Sequence, residues 1–321
     1  MTGTRPAWAD AVAAALGARE LRELRRLSGG ASRETWAFDA DGRRLILQRA
    51  RVGAVGEMTM ATEVRLLRAA RATAGVPVPA VVLTGTDSGV ESGGLGESWM
   101  VVERIEGETI PRKILRDAEF ASTRPRLAAQ CGRALAAIHS IDPAGVPGLD
   151  ATDEFDRFRE LLDALDEPHP AFELGFRWLE RNRSPRRADT VVHGDFRNGN
   201  LVVGPDGLRA VVDWELAHLG DPLEDLGWLC VRAWRFGAEP RVGGFGDVDD
   251  LVAAYEAASG STGSVDRDAL AWWEVMGTLK WGVMCMLQAA AHLSGTVRSV
   301  ELAAIGRRVC EVEHDLLLLL P

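Results

Sequence analysis

The chain has 321 residues, 46% of them hydrophobic, which is enough for one two-lobed domain or two domains with sizeable cores. Its 37 Lys+Arg against 47 Asp+Glu give a net charge of −10, which argues against a nucleic-acid or anionic-membrane partner and tolerates a cationic small molecule. Cys131, Cys230, Cys285 and Cys310 stand far apart with no C-x-x-C pair, so a zinc site or disulfide framework is not expected and reduced thiols fit a cytoplasmic protein.

Taken from the N-terminus, residues 1–10 hold one arginine and no apolar core of signal-peptide length, so nothing there directs export. Residues 8–26 carry apolar side chains at helical spacing and predict a helix, broken by the small residues 28–32. Residues 35–38 and 44–49 read as strands around an Asp39-Ala40-Asp41-Gly42 turn, and residues 57–72 as an amphipathic helix carrying Glu63. Residues 76–83 and 99–103 read as strands that finish a small sheet, with a Gly/Ser-rich turn at 88–98 between them. A lobe boundary is expected after Glu103, giving an N-terminal unit 1–103 and a larger helical unit 104–321. Within the latter, residues 127–139 and 271–293 are predicted helices. The second packs Trp272, Trp273, Met276, Trp281, Met284 and Met286 at helical spacing, as core or as an apolar substrate wall. The leucine run 316–320 is far shorter than the roughly 20 residues a membrane span needs and reads as a helix end.

The most informative stretch is His193-Gly194-Asp195-Phe196-Arg197-Asn198-Gly199-Asn200, with Asp213 thirteen residues beyond Asn200 in Val211-Val212-Asp213-Trp214-Glu215. Asp195 and Asn200 have the spacing of the kinase catalytic loop, in which the Asp accepts the proton of a substrate hydroxyl and the Asn holds magnesium. Between them and Asp213, residues 201–203 and 208–212 are β-rich runs around Gly204-Pro205-Asp206-Gly207, a hairpin signal. A hairpin returns the chain on itself, so Asn200 and Asp213 finish side by side as hard oxygen ligands suited to magnesium. Turn-capping roles for the same residues explain each singly but not the set.

These residues, HGDFRNGNL together with VVDWELAHLGDPLEDLGWL, resemble the aminoglycoside phosphotransferase family, most closely the branch similar to the kinase-like domain fused to some acyl-CoA dehydrogenases. The resemblance implies an α+β, protein-kinase-like two-lobed fold, with a small mainly β lobe and a larger helical one. It also implies an ATP- and Mg2+-dependent transfer of phosphate to the hydroxyl of a small molecule, with Asp195 as catalytic base and Asn200 and Asp213 as metal ligands. Arg197 would steady the γ-phosphate or salt-bridge to the catalytic loop. In the family's terms, residues 28–32 form a phosphate flap with Ser32 approaching ATP, Glu63 holds a phosphate-binding cation, and backbone around Glu103, Arg104 and Ile105 holds adenine. Asp221 and Asp225 are expected to fix the loop, His139 to end a helix, and His218 and Trp214 to contact substrate or pack. No D-F-G, A-P-E or activation segment follows Asp213, which disfavours a protein acceptor.

One departure stands out. The only lysines, Lys113 and Lys280, both follow the expected hinge, so the small lobe has none to meet the ATP phosphates. Arg49, held by Glu63, is the expected substitute; the resemblance instead places Gln48 at the family's cation position, and strand alternation lets only one of the two face the cleft. A non-catalytic nucleotide-binding module is the alternative that this departure favours. For the acceptor, Asp221, Glu224 and Asp225 favour an aminoglycoside-like amine, whereas the Trp/Met-rich helix favours a hydroxy acid or hydroxyacyl thioester.

Overall fold

The computed structural model describes residues 6–27, 33–50, 58–85, 95, 98–183, 189–260, 263 and 265–321. The expected flap at 28–32 with Ser32, the helix start at Glu57 and most of the 88–98 turn lie outside them.

Helix α1 (Ala9–Leu16) stops at Gly17, whose left-handed φ of 64° lets its N–H close onto the Ala13 and Ala14 carbonyls. The helix expected over 8–26 is therefore halved. Residues beyond the turn form strand β1 (Leu21–Leu27), because antiparallel pairing with β2 (Arg33–Ala40) outweighs the helix propensity of a Leu/Arg/Glu-rich segment. Between β2 and β3 (Arg43–Ala50), Asp41 and Gly42 both have positive φ, 52° and 85°, as the tightest hairpin turns require. After α2 (Met60–Ala72) come β4 (Val81–Thr84) and β5 (Trp99–Glu103). The strand expected over 76–83 is shortened from its start, since Pro77 and Pro79 have no N–H for a ladder. The Pro77 carbonyl instead accepts from the Val211 N–H at 2.7 Å, reaching into the other lobe.

These five strands form one antiparallel sheet in the order β1-β2-β3-β5-β4. Its outer face packs Phe38, Leu45, Leu47, Trp99 and Val101 against Trp8, just before α1, and Val12 within it. On its inner face, Met100 and Val102 meet Val64 and Leu67 of α2, in a core that continues into the helical lobe through Ile114, Leu127 and Trp214. Burial of each such Leu or Val side chain contributes about 1.5–3 kcal/mol, so the shared core holds the two lobes against each other.

The helical lobe contains α3 (Pro111–Arg116), α4 (Arg124–His139), α5 (Glu154–Leu165) and α6 (Pro170–Arg181). Two small sheets follow, β6 (Thr190–Val192) with β9 (His218–Gly220), and the expected hairpin β7 (Leu201–Gly204) with β8 (Gly207–Val211). Then come α7 (Leu223–Cys230), α8 (Val248–Ser259), α9 (Arg267–Leu293), α10 (Val300–Gly306) and α11 (Val309–Leu319). Helix α9 begins four residues earlier than the 271–293 expected, where the Asp266 carboxylate caps the N–H groups of Asp268 and Ala269. Among the described residues no helix is long and apolar enough to cross a membrane. The architecture is a protein-kinase-like pair of lobes, a small antiparallel sheet and a larger helical body.

Candidate active site

The loop from His193 to Asn200 leaves β6, and its shape is imposed from below. Asp225 on α7, fully buried, accepts the N–H of His193 at 2.7 Å and of Gly194 at 2.9 Å, and meets His139 Nε2 at 3.2 Å. Burial alone would raise its carboxyl, but hydrogen bonding and charge from His139, with His193 beyond, hold it below the ordinary value. Asp225 thus fixes the loop, as expected, and His139 completes that anchor rather than simply ending α4. Asp221 caps α7 through the Leu223 N–H at 2.9 Å. Gly194 is obligatory here: at φ 75° a Cβ would stand 2.3 Å from the Leu216 carbonyl oxygen. His193 is buried against Trp214, and burial lowers its pKa, so a neutral ring nitrogen, Nδ1, accepts the Asp195 N–H at 3.2 Å.

Asp195, 8% exposed, is surrounded by donors. Its carboxylate accepts from Arg197 Nε at 2.9 and 3.1 Å, from the Trp228 indole N–H at 2.9 Å and from the Asn200 amide at 2.6 Å. Arg197 forms the expected ion pair with the loop, its guanidinium also lying 4.6 Å above the Trp234 ring. The Val212 N–H donates to the Asn200 carbonyl at 2.9 Å, so the hairpin brings Asn200 beside Asp213 as the sequence predicts. Asp213 has a left-handed φ of 68°, an uncommon conformation for a non-glycine residue. Asp213 is exposed, yet the protein around it displaces water and Glu215, Asp195 and Glu63 add negative potential. Its carboxyl is therefore pushed well above the ordinary range.

The small lobe corrects one expectation. Thr35 pairs with Gln48 and Glu34 with Arg49 across β2 and β3, which places Arg49 on the outer face with Leu45 and Leu47. There Arg49 Nε donates to Glu34 at 2.6 Å. Glu63 of α2, 2% exposed, is instead ion-paired with Arg33, at the start of β2, and Arg33 Nε also lies 3.7 Å from Glu215. Gln48 shares the inner face with Ile46, the face on which Arg33 also lies. Burial pushes the Glu63 carboxyl up, with Arg33 opposing. At the expected hinge, the N–H groups of Glu103 and Arg104 are committed to the Ala80 and Arg44 carbonyls. Among the described residues the Ile105 N–H makes no hydrogen bond.

Sequence reasoning gave no place to Lys280. It is 4% exposed, 2.6 Å from Glu154 and 3.1 Å from Glu224, and donates to the Gly194 carbonyl at 3.3 Å, one residue before Asp195. Glu224 also pairs with His218 at 3.1 Å. Glu154, His218 and Glu224 converge as a metal site would, and the Lys280 ammonium is the cation among them. No motif marks a buried lysine; only the fold brings α5, α7 and α9 together around it. His218 and Trp214 are both buried, His218 at the wall of a cavity that Met58, Asp150 and Thr152 also line. Of the residues weighed for the acceptor, Asp221, Glu224 and Asp225 are buried and engaged and Trp272, Met276, Trp281 and Met286 fill the core, whereas Trp273 and Met284 are half-buried and Met284 lines a cavity with Phe158, Leu161 and Leu287.

Fold and site define a kinase-like phosphotransferase. The chain belongs to the phosphotransferase enzyme family, whose model matches residues 23–273. It is 29% identical over 245 residues to mouse acyl-CoA dehydrogenase family member 10, covering 71% of this chain and 22% of that protein. It is 30% identical over 194 residues to the probable acyl-CoA dehydrogenase IBR3 of Arabidopsis thaliana, covering 53% and 22%. The chain thus corresponds to only about a fifth of these relatives. Among solved structures, a putative aminoglycoside phosphotransferase from Ralstonia eutropha superposes with a TM-score of 0.71 at 19% identity, covering 97% of each chain. A thermostable mutant of aminoglycoside phosphotransferase APH(4)-Ia, solved with AMP-PNP and hygromycin B, gives 0.64 at 16% identity, covering 97% of this chain and 99% of that one.

Proposed function

We propose that the chain transfers the γ-phosphoryl group of ATP to a hydroxyl of a small molecule. The observation that carries this reading is the convergence of three residues: the Asn200 amide donates to the Asp195 carboxylate, and the hairpin pairs the Asn200 backbone with Val212, next to Asp213. Asp195 accepts the hydroxyl proton and aims the oxygen, while Arg197 and Trp228 fix the carboxylate's direction. Asn200 and Asp213 are hard oxygen donors in a pocket of excess negative potential, which suits magnesium. When bound there, the ion would neutralise charge on the transferring phosphoryl group. The non-catalytic alternative rested on the missing lysine, and an arginine against Glu63 weakens it.

The acceptor reading favoured is an anionic hydroxyl compound. What supports it is a cavity of about 720 Å³ lined by Arg112, Arg232, Arg235, Arg308 and His314 against Glu239, Glu311 and Asp315, in which Arg232 pairs with Asp315, Arg308 with Glu311 and Arg235 with Glu274, so Arg112 and His314 are the groups that an anion would add to. The cavity adjoins the turn bearing Trp234, on which Arg197 stacks.

The test is ADP release across a panel of hydroxy acids, hydroxyacyl thioesters and amino sugars. Asp195→Ala is expected to lower turnover by about 10²-fold or more with MgATP binding nearly intact. Turnover retained by that variant would refute the role of Asp195, and release driven only by amino sugars would refute the anionic acceptor.

A further inference from the structure

A phosphotransferase cleft needs a fixed positive charge from the small lobe, and no lysine of this chain can supply it. Lys113 pairs with Glu108 on the surface, and Lys280 lies beneath the catalytic loop. We propose that Arg33, on the second strand rather than the third, is the nucleotide-phosphate cation, with Glu63 as the carboxylate that holds it. This rests on the phosphotransferase reading and adds the residue that grips the nucleotide.

Three observations converge on Arg33. It links separate parts of the cleft, pairing with Glu63 on α2 and lying 3.7 Å from Glu215, two residues beyond Asp213. Its side chain is 11% exposed, so the guanidinium is held within the fold and aimed by its partners rather than waving in solvent. The charge there is also unbalanced: Glu63, Glu215, Asp213 and Asp195 are opposed by Arg33 and Arg197, and Arg197 is committed to Asp195. A guanidinium has five N–H donors, so one that meets carboxylates on one side can still offer donors to phosphate oxygens on the other.

The register explains why Gln48 can be neutral. Arg33 pairs with Ala50 and Thr35 with Gln48, so positions 33 and 48 lie diagonally on one face, about 7–8 Å apart at the backbone. Long side chains from either position reach the same space. A lysine at 48 beside Arg33 would crowd two cations, whereas one at 48 without Arg33 would restore the charge from the neighbouring strand.

The experiment titrates MgATP and adenosine into the wild type, Arg33→Ala, Arg33→Lys and Arg33→Ala with Gln48→Lys. Arg33→Ala should weaken MgATP binding about 10- to 100-fold, the scale of charge-assisted hydrogen bonds, and leave adenosine within about 2-fold. Arg33→Lys should fall between, and Gln48→Lys should recover most of the loss. Because Arg33→Ala leaves the buried Glu63 carboxylate without its partner, Arg33→Ala with Glu63→Ala replaces it should the single variant not fold, with the same expected result. Equal losses for adenosine and MgATP would assign Arg33 a structural role and overturn the proposal, as would unchanged MgATP affinity. A wild type that binds no MgATP would instead overturn the phosphotransferase reading itself.

Discussion

Replacing Lys280 with methionine tests whether the loop from His193 to Asn200 stands on a charge-balanced core. Lys280 and His218 face Glu154 and Glu224, two formal positive charges against two negative, with all four groups buried. Methionine keeps the unbranched length, so packing against Trp228 and Phe158, which lie 5.2 and 5.6 Å from the ammonium, changes little. What changes is charge: the site is left with an uncompensated carboxylate, and breaking one partner of a buried pair costs about 3–5 kcal/mol. The Gly194 carbonyl also loses a donor next to Asp195, so kcat should fall more than KM rises. Denaturant unfolding at neutral pH measures the first effect. The decisive control adds Glu154→Gln to Lys280→Met, which restores the balance and should recover about 2 kcal/mol or more. A single variant costing under about 1 kcal/mol, or no recovery in the double, would refute the reasoning.

Three further outcomes follow from the same geometry. Burial alone would lower the His218 pKa, but Glu224 raises it to about 9. Its stabilisation, on the order of 3 kcal/mol, is then fully present below about pH 6.5 and lost as pH rises through about 9; a melting-temperature profile from pH 6 to 10 should lose that slope in His218→Gln, and an identical slope would reject the assignment. Asp225→Asn replaces an acceptor of two backbone N–H groups by an amide that can accept with only one atom; unfolding titrations should show a loss of about 2–3 kcal/mol, and steady-state rates a lower kcat. Gly194→Ala, with its Cβ against the Leu216 carbonyl, should cost at least about 2 kcal/mol by the same titrations, and a neutral result would mean that the loop can move aside.

The site was legible where chemistry and spacing coincide locally. Asp195, Asn200 and Asp213 lie within one hairpin of each other, so a turn signal and alternating apolar residues sufficed to bring them together. Asp225 was legible as a loop anchor, but its partner His139 was not, because the two stand 86 positions apart with no periodicity linking α4 to α7. Residues 21–27 misled for a related reason: Leu and Arg favour helix locally, and only pairing with β2 selects the strand. The Arg49 expectation failed on strand alternation. One step along β3 exchanges the face toward Glu63 for the face toward α1, and the sequence does not mark which face is which.

In a chain with two lysines, positive charge is placed where a carboxylate must be held. Lys280 balances the acids beneath the loop, Arg197 orients Asp195, and Arg33 meets Glu63. The first two meet through Trp228, which lies under the Lys280 ammonium and donates its indole N–H to Asp195. Loss of the buried cation should therefore reach the Asp195 carboxylate through one ring. Trp228→Phe separates the contributions: it keeps an aromatic face over Lys280 and removes only the donor to Asp195. If the ring transmits orientation through that donor, kcat should fall about 10-fold, the scale of one hydrogen bond to a charged group, with KM for ATP unchanged. An unchanged kcat in Trp228→Phe would show that Arg197 and Asn200 suffice to orient Asp195. The kcat loss expected of Lys280→Met would then have to pass through the Gly194 carbonyl alone.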